Sequence, residues 1–230
     1  MIFFWVLFLI VILISLILAF MSMKDFRQNP KDFNLDYGLF LVRRPSSLTP
    51  QVFDYLHQEF EKTGLIISIE RLFKGRESAI VLYGPRKILI NFTTLDLLEL
   101  EDYTNKLTGA SIWQMSARKK NGIRGSLFLD IPKLFKEEEI LWQIILQAQK
   151  GGSRQFRAQI LVAVLISDEN RKKEISMFLQ AQKGDLIKVP QNLSSIQMMN
   201  FYQKRTILGR SKLTLTGGEI AKLLSLPKLH

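Results

Sequence analysis

The sequence contains no cysteine and only two histidines, His57 and His230, so several kinds of catalytic site are excluded. A Cys/His zinc site and an H-E-x-x-H motif need residues that this chain lacks. A serine triad would depend on one of two isolated histidines, and His57 is expected to be a surface or packing residue. The absence of cysteine also agrees with a domain in a reducing compartment.

The phosphate-binding pattern G-x-x-x-x-G-K-[ST] is absent as well. Gly217-Gly218 has no lysine that would reach a phosphate, so we interpret it as a turn. The acidic residues concentrate at 137–139 and 96–102, where helix ends and solvated faces are expected. We therefore predict no catalytic residue, no cofactor and no metal site. An enzyme with an unrecognised carboxylate pair stays an alternative, because sequence cannot show a pocket.

The N-terminal segment is a long apolar run. The first 23 residues carry no charge, and residues 2–20 are almost entirely aliphatic or aromatic. About twenty helical residues span the roughly 30 Å hydrocarbon core, whereas a cleaved signal peptide has about 7 to 15 apolar residues. No positive residue precedes the run and no small-x-small cleavage site follows it. We predict a transmembrane anchor over 1–23, with membrane contacts from Phe3, Trp5, Leu9, Ile14 and Phe20.

The charges that follow the anchor predict its orientation. Lys24, Arg27 and Lys31 come directly after it, and Arg43-Arg44 follow. Because positively charged loops stay in the cytoplasm, we expect a single-pass protein with its N-terminus outside and its C-terminal domain cytoplasmic.

The rest of the chain predicts an α+β fold. Residues 24–36 form a polar juxtamembrane linker, and 37–230 form one domain, either a single compact unit or two lobes, 37–131 and 132–230. No internal repeat is visible. We expect a mixed, mainly antiparallel sheet packed with helices. Strands are predicted at 37–44, 65–73, 78–83, 86–92, 112–117, 126–131, 156–166 and 212–215, and helices at 50–63, 94–106, 135–150, 167–183, 196–205 and 218–224.

The formal net charge is +11, in short basic clusters. One cluster, Arg118, Lys119, Lys120 and Arg124, follows Trp113, and cations beside aromatics can bind nucleic acid by stacking and phosphate contacts. The same charges also suit the anionic inner leaflet, and a solvated turn near lipid is the simpler interpretation. These four residues are our candidates for contact with nucleic acid or lipid.

Three stretches resemble a known family. They are 83–103, YGPRKILINFTTLDLLELEDY, then 138–150, EEILWQIILQAQK, and 213–227, LTLTGGEIAKLLSLP. Their succession resembles the region that precedes the motor in membrane-anchored conjugation and type IV secretion ATPases of the TraD/HerA-like kind. In that family a similar helix ends in His-Leu-Pro before the nucleotide-binding core. Here Ser225-Leu226-Pro227 stands there, and no nucleotide-contacting residue can be carried over.

The resemblance implies a bacterial, non-enzymatic adaptor that docks a cytoplasmic P-loop ATPase, or other subunits of a DNA- or protein-transfer machine, at the membrane. The partners expected are the lipid bilayer, that ATPase, DNA and a second copy of the chain. Leu213, Ile220, Leu223 and Leu224 could form an apolar contact face, although leucines at such spacing are more often core. The alternative function is a membrane-tethered nucleic-acid-binding protein that uses its basic surface.

Overall fold

The computed structural model describes residues 12, 13, 15, 36–107, 109–117, 132–151, 154–181, 186–188, 193–207 and 213–224. Within these ranges no helix is both long enough and apolar enough to span a bilayer. The predicted anchor residues Phe3, Trp5, Leu9, Ile14 and Phe20 lie outside the described residues. The strands are β1 (Tyr37–Val42), β2 (Ile66–Lys74), β3 (Glu77–Pro85), β4 (Leu97–Leu100), β5 (Ser111–Ala117), β6 (Glu139–Ala148), β7 (Gln155–Leu165), β8 (Leu186–Lys188) and β9 (Leu213–Thr216). The helices are α1 (Pro50–Thr63), α2 (Arg86–Ile90), α3 (Glu169–Gln180), α4 (Ser195–Lys204) and α5 (Gly217–Leu224).

One sheet joins all nine of these strands, in the order β4-β1-β3-β2-β6-β7-β5-β8, with β9 paired beside β7. Every pairing among the described strands is antiparallel, from β1·β3 to β7·β9. The predicted α+β class with a mainly antiparallel sheet is therefore confirmed.

The sheet consists of two similar halves. The first runs β1-α1-β2-β3-α2-β4 with strand order β4-β1-β3-β2, which is a split-βαβ arrangement. The second half, β5 to β8, has the matching order β6-β7-β5-β8, and α3 connects its third and fourth strands. Antiparallel pairing of β2 with β6, from Ile66↔Gln147 to Lys74↔Glu139, joins the halves. The strand order is thus palindromic about this seam.

One face of the sheet, here the α1 face, carries the larger core. Phe53, Leu56 and Phe60 of α1 are completely buried against it, as their helical spacing predicted. Gly64 ends α1 in the left-handed conformation, at φ +68°. Helices α3 and α5 contribute to the same core, and α5 packs beside α1. The chain between β5 and β6 lies largely outside the described residues.

The opposite face, here the α4 face, has a smaller core. Met198 and Tyr202 of α4 pack on Leu141, Ile145 and residues of β5 and β7. Successive residues of β6 therefore enter two cores, since Ile140, Trp142 and Ile144 face α1. Both faces of this central strand are covered.

The predicted helix over 135–150 is wrong, because residues 139–148 form β6. A strand buried on both faces has no alternation of polar and apolar residues, so Ile140, Leu141, Ile144, Ile145 and Ala148 reproduced a helical spacing. The Phe156–Ile166 prediction of a central strand is confirmed by β7.

Two predictions in the first half are also wrong. The segment predicted as a strand at 86–92 contains α2, because β3 loses its partner after the Tyr37↔Pro85 pair and Arg86 N–H donates to the Asp36 carbonyl at 2.8 Å. The segment predicted as a helix at 94–106 contains the edge strand β4 and a 3₁₀ turn at Tyr103–Lys106. Its pairing with β1 makes β4 the edge strand of the sheet, and this pairing decides the extended conformation of β4.

Candidate functional site

A concave surface of the described domain is a cleft of about 780 Å³, here the seam cleft. It lies where β2 ends, β6 begins and β7 ends, and the segment after the Tyr103–Lys106 turn forms its other wall. Leu72, Leu141 and Leu165 form an apolar floor that belongs to the α4-face core. Clefts with apolar floors and a few polar groups are where ligands and partner segments usually bind. The residues that line it are Leu72, Phe73, Lys74, Tyr103, Lys106, Leu107, Gly109, Glu137, Glu139, Leu141, Leu165, Ile166, Ser167 and Lys172.

Charged side chains form the rim of the seam cleft. Lys74 Nζ donates to Glu139 Oε1 at 2.6 Å, and this hydrogen bond, followed by the carboxylate charge, raises the pKa of Lys74 above its ordinary value. Lys172 is paired with Glu169 at 2.7 Å. Lys106 is exposed and has no ion pair with any described residue. The rim therefore combines two paired lysines, one lysine available to an acidic group, and the exposed carboxylate of Glu137, which has no ion pair with any described residue.

Beside the floor, on the same face of the sheet, lies a buried ionic cluster, here the Glu70 cluster. Glu70 on β2 and Arg205 at the end of α4 are almost completely buried, and Arg205 Nε donates to Glu70 Oε1 at 2.6 Å. Gln143 Nε2 also donates to Glu70 Oε1, at 3.1 Å. Tyr103, which lines the seam cleft, donates its hydroxyl to the other Glu70 oxygen. The cluster thus connects the cleft wall, both central strands and α4.

Arg205 has further contacts that fix its position. Its Nη1 donates to Asp102 Oδ2 at 2.7 Å, and its guanidinium lies 4.2 Å from the centroid of the Tyr83 ring. Its backbone is in the left-handed region, at φ +50°, where it ends α4. A non-glycine residue with positive φ is uncommon, and the side-chain contacts hold this one in place.

The pKa shifts in this cluster follow from the same contacts. Burial by itself lowers the pKa of Arg205, but the charges and hydrogen bonds of Glu70 and Asp102 outweigh it, so the pKa lies above its ordinary value. Burial raises the pKa of Asp102, and the hydrogen bonds from Arg205 and Thr104 outweigh that effect and lower it. Burial, followed by the charge of Glu70, raises the pKa of Tyr103 well above its ordinary range. The charges of Glu70, Asp102 and Arg205 are stabilised in ion pairs, and these pairs hold α4 against β2 and the segment after β4.

His57 lies in α1 and is buried. It was expected to be either a surface residue or a packing residue, and its burial agrees with the packing role. Its side chain is 1% exposed, its Nε2 lies 3.0 Å from the Gln155 carbonyl oxygen, and its ring packs edge-on against Phe156. It ties α1 to the start of β7. Among the described residues no group of three His, Asp or Glu side chains is placed to hold a metal ion.

The residues predicted as sites fall in two groups. Leu213, Ile220, Leu223 and Leu224 are all at most 6% exposed and belong to the α1-face core, so they form no exposed apolar surface on this chain. The basic candidates Arg118, Lys119, Lys120 and Arg124 lie outside the described residues.

Sequence reasoning missed the seam cleft and the Glu70 cluster. A signal for the cluster was present, since Ser68, Glu70 and Arg71 interrupt the apolar residues of this strand. Its partner Arg205 lies 135 residues away in the chain, and no periodicity connects the two.

Comparison of the chain with protein-family models, with curated proteins and with solved structures gave no match.

Proposed function

We propose that this chain is a non-enzymatic adaptor that is anchored in a bacterial membrane and docks a cytoplasmic P-loop ATPase in a conjugation or type IV secretion-like machine. The observation that carries the proposal is the seam cleft, an apolar floor with a charged rim on the joint between two half-sheets. The ATPase is proposed from the resemblance of residues 37–227 to the region before a motor.

The anchor part of the proposal is supported by the apolar run at 2–20 and by the basic residues that follow it. The chain enters the sheet at Tyr37, so only residues 24–36 separate the predicted membrane helix from β1. A tether of this length keeps the domain close to the bilayer and raises its effective concentration for other membrane-bound subunits.

The docking part is supported by the chemistry of the cleft. Leu72, Leu141 and Leu165 would accept apolar side chains, and Lys106 would meet an acidic one. We therefore propose that the occupant is an amphipathic, acidic segment of the ATPase. The buried Glu70 cluster beside the floor keeps both central strands and the Tyr103 wall in a fixed geometry, which reduces the ordering cost of binding.

The proposal is tested by affinity purification of the tagged full chain from its own cells in detergent, with quantitative mass spectrometry. Lys106→Glu is the test variant, because charge reversal on the rim repels an acidic segment. Lys62→Glu is the matched control, since Lys62 is also exposed but lies on α1, outside the cleft lining. We expect a P-loop ATPase with the unaltered chain and with the control, and a several-fold lower yield with Lys106→Glu.

Recovery of no ATPase, or equal recovery with both variants, would refute docking at this cleft. The second candidate function, direct nucleic-acid binding, is favoured by the formal net charge of +11 and by the basic cluster Arg118, Lys119, Lys120 and Arg124 in the sequence. Recovery of nuclease-sensitive DNA alone, with binding that weakens steeply as salt rises, would support that candidate.

A further inference from the structure

The short helix α2 is fixed to the place where the linker enters the domain. Arg86, its first residue, donates its backbone N–H to the Asp36 carbonyl at 2.8 Å, and its guanidinium pairs with the carboxylates of Asp36 and Glu99. Asp36 directly precedes β1. The position of α2 relative to the start of the linker is therefore set by backbone and side-chain contacts together.

The surface around α2 exposes apolar side chains. Ile90 is 57% exposed, and Tyr55 of α1, which is 50% exposed, packs edge-on against Phe92 with ring centroids 4.8 Å apart. Lys87 is also exposed on α2. Single exposed apolar residues are common on soluble proteins. Lys87 and Ile90 are three residues apart on α2, so they share a helix face, and Tyr55 contacts Phe92 just after that helix. We call Tyr55, Lys87 and Ile90 the α2 patch.

The length of the linker limits how far the α2 patch can lie from the bilayer. Residues 24–35 would reach about 40 Å if fully extended. A flexible chain of that length has a typical end-to-end distance of only about 20 Å. The patch is attached at the domain end of this linker, so contact with the membrane surface needs no stretching of the tether.

We propose that the α2 patch rests in the headgroup region of the same bilayer that holds the N-terminal anchor; this inference depends on the proposed membrane anchorage. Ile90 would enter the interface, Tyr55 would place its ring there with the hydroxyl in water, and Lys87 would meet anionic lipid. The nearby carboxylates of Asp36 and Glu99 are paired with Arg86, which reduces their repulsion from an anionic surface. The domain would then have one preferred orientation, with α2 toward the membrane.

The experiment uses the absence of cysteine, because a single introduced cysteine can be labelled uniquely. The full chain with Ile90→Cys carries a nitrobenzoxadiazole fluorophore and is reconstituted into vesicles of phosphatidylcholine and phosphatidylglycerol. A fraction of the lipid carries a nitroxide quencher at the headgroup. The control is Ser78→Cys, which is also exposed but lies near the other end of β3, about 24 Å along the strand from Pro85.

We expect several-fold stronger quenching at position 90 than at position 78. Adding Lys87→Glu should reduce the quenching at position 90 in anionic vesicles, whereas Arg76→Glu, at the turn before β3, should leave it unchanged. If the chain stays in the vesicles after an alkaline wash but quenching is equal at the two positions, the proposed orientation is overturned and the anchorage is not. Release of the chain by that wash would overturn the anchorage, and the orientation with it.

Discussion

The ion pair between Glu70 and Arg205 allows a quantitative test of how α4 is held on the sheet. Their side chains are 0% and 1% exposed, and Nε and Oε1 are 2.6 Å apart. With an effective dielectric of about 20, the attraction at this distance is about 6 kcal/mol, and desolvation of both ions cancels most of it. The intact pair therefore adds little net stability.

Replacement of one partner has a much larger effect than the net value of the pair. In Arg205→Met the Glu70 carboxylate stays buried without its cation, and such a change costs about 3 to 5 kcal/mol. Gln143 and Tyr103 still donate to Glu70, so we expect the lower part of this range. Arg154→Met is the matched control, because Arg154 is 62% exposed and 3.8 Å from Asp54, and an exposed pair contributes about 1 kcal/mol or less.

The assay is urea unfolding of the full chain in detergent, followed by tryptophan fluorescence, to which the buried Trp142 contributes, and by circular dichroism. In the double variant Glu70→Gln/Arg205→Met the buried charge is absent. We therefore expect the double variant to regain more than half of the unfolding free energy that Arg205→Met alone loses. The reasoning is refuted if Arg205→Met costs no more than Arg154→Met. It is also refuted if the effects of Glu70→Gln and Arg205→Met simply add.

Three further predictions concern helix packing and pH. Gly217→Ala should destabilise the fold by about 1 to 3 kcal/mol, because its Cβ would lie 2.9 Å from a backbone oxygen of α1. In the control Gly218→Ala the added Cβ meets nothing within 4 Å, so this variant should stabilise α5 by about 0.5 to 1 kcal/mol. If the urea midpoints of the two variants shift in the same direction, this prediction is contradicted. In an absorbance titration, Tyr103 and Tyr202 should ionise only above about pH 10, because burial raises the pKa of both phenols. Above about pH 10 the unfolded chain loses these protons while the folded chain keeps them, so the free energy of unfolding should fall as pH rises further. Ionisation of all the tyrosines together near pH 10 in the folded chain would refute the burial of Tyr103 and Tyr202. The pKa of Asp102 is lowered, so its stabilisation is complete above about pH 4 and is lost as pH falls through the folded pKa. Asp102→Asn should therefore flatten the acid loss of stability, and an unchanged slope between about pH 4 and 2 would contradict the ion pair.

The elements predicted correctly are those whose signals are local. Helix α1 has an apolar stripe and a terminal glycine, and Gly64 adopts the positive φ that ends it. The β2–β3 hairpin is marked by Lys74-Gly75-Arg76, and Gly75 has φ +54°. The apolar run of β7 is too short to be a second membrane span and rich in branched side chains, so its central position in the sheet was also predictable.

The wrong predictions share a physical cause. The conformation of β6 depends on β2 and β7 at its sides and on cores at both faces, none of which is encoded within 139–148. The helix α2 forms where β3 has no more partner residues, and β4 is a strand because β1 offers an edge. In each case pairing with a distant segment overrides the local pattern.

By itself, the sequence determined the α+β class, the glycine that ends α1, the turn between β2 and β3, and the lack of cysteine that excludes thiol chemistry. Only the tertiary structure decided that the strand order of the sheet is a palindrome of two matching halves, because strand order follows from pairings between residues far apart in the chain. It alone brought Glu70 to Arg205 and placed the seam cleft between the halves. Local periodicity records which residues prefer burial, whereas the choice of partners depends on which complete arrangement buries them all at once.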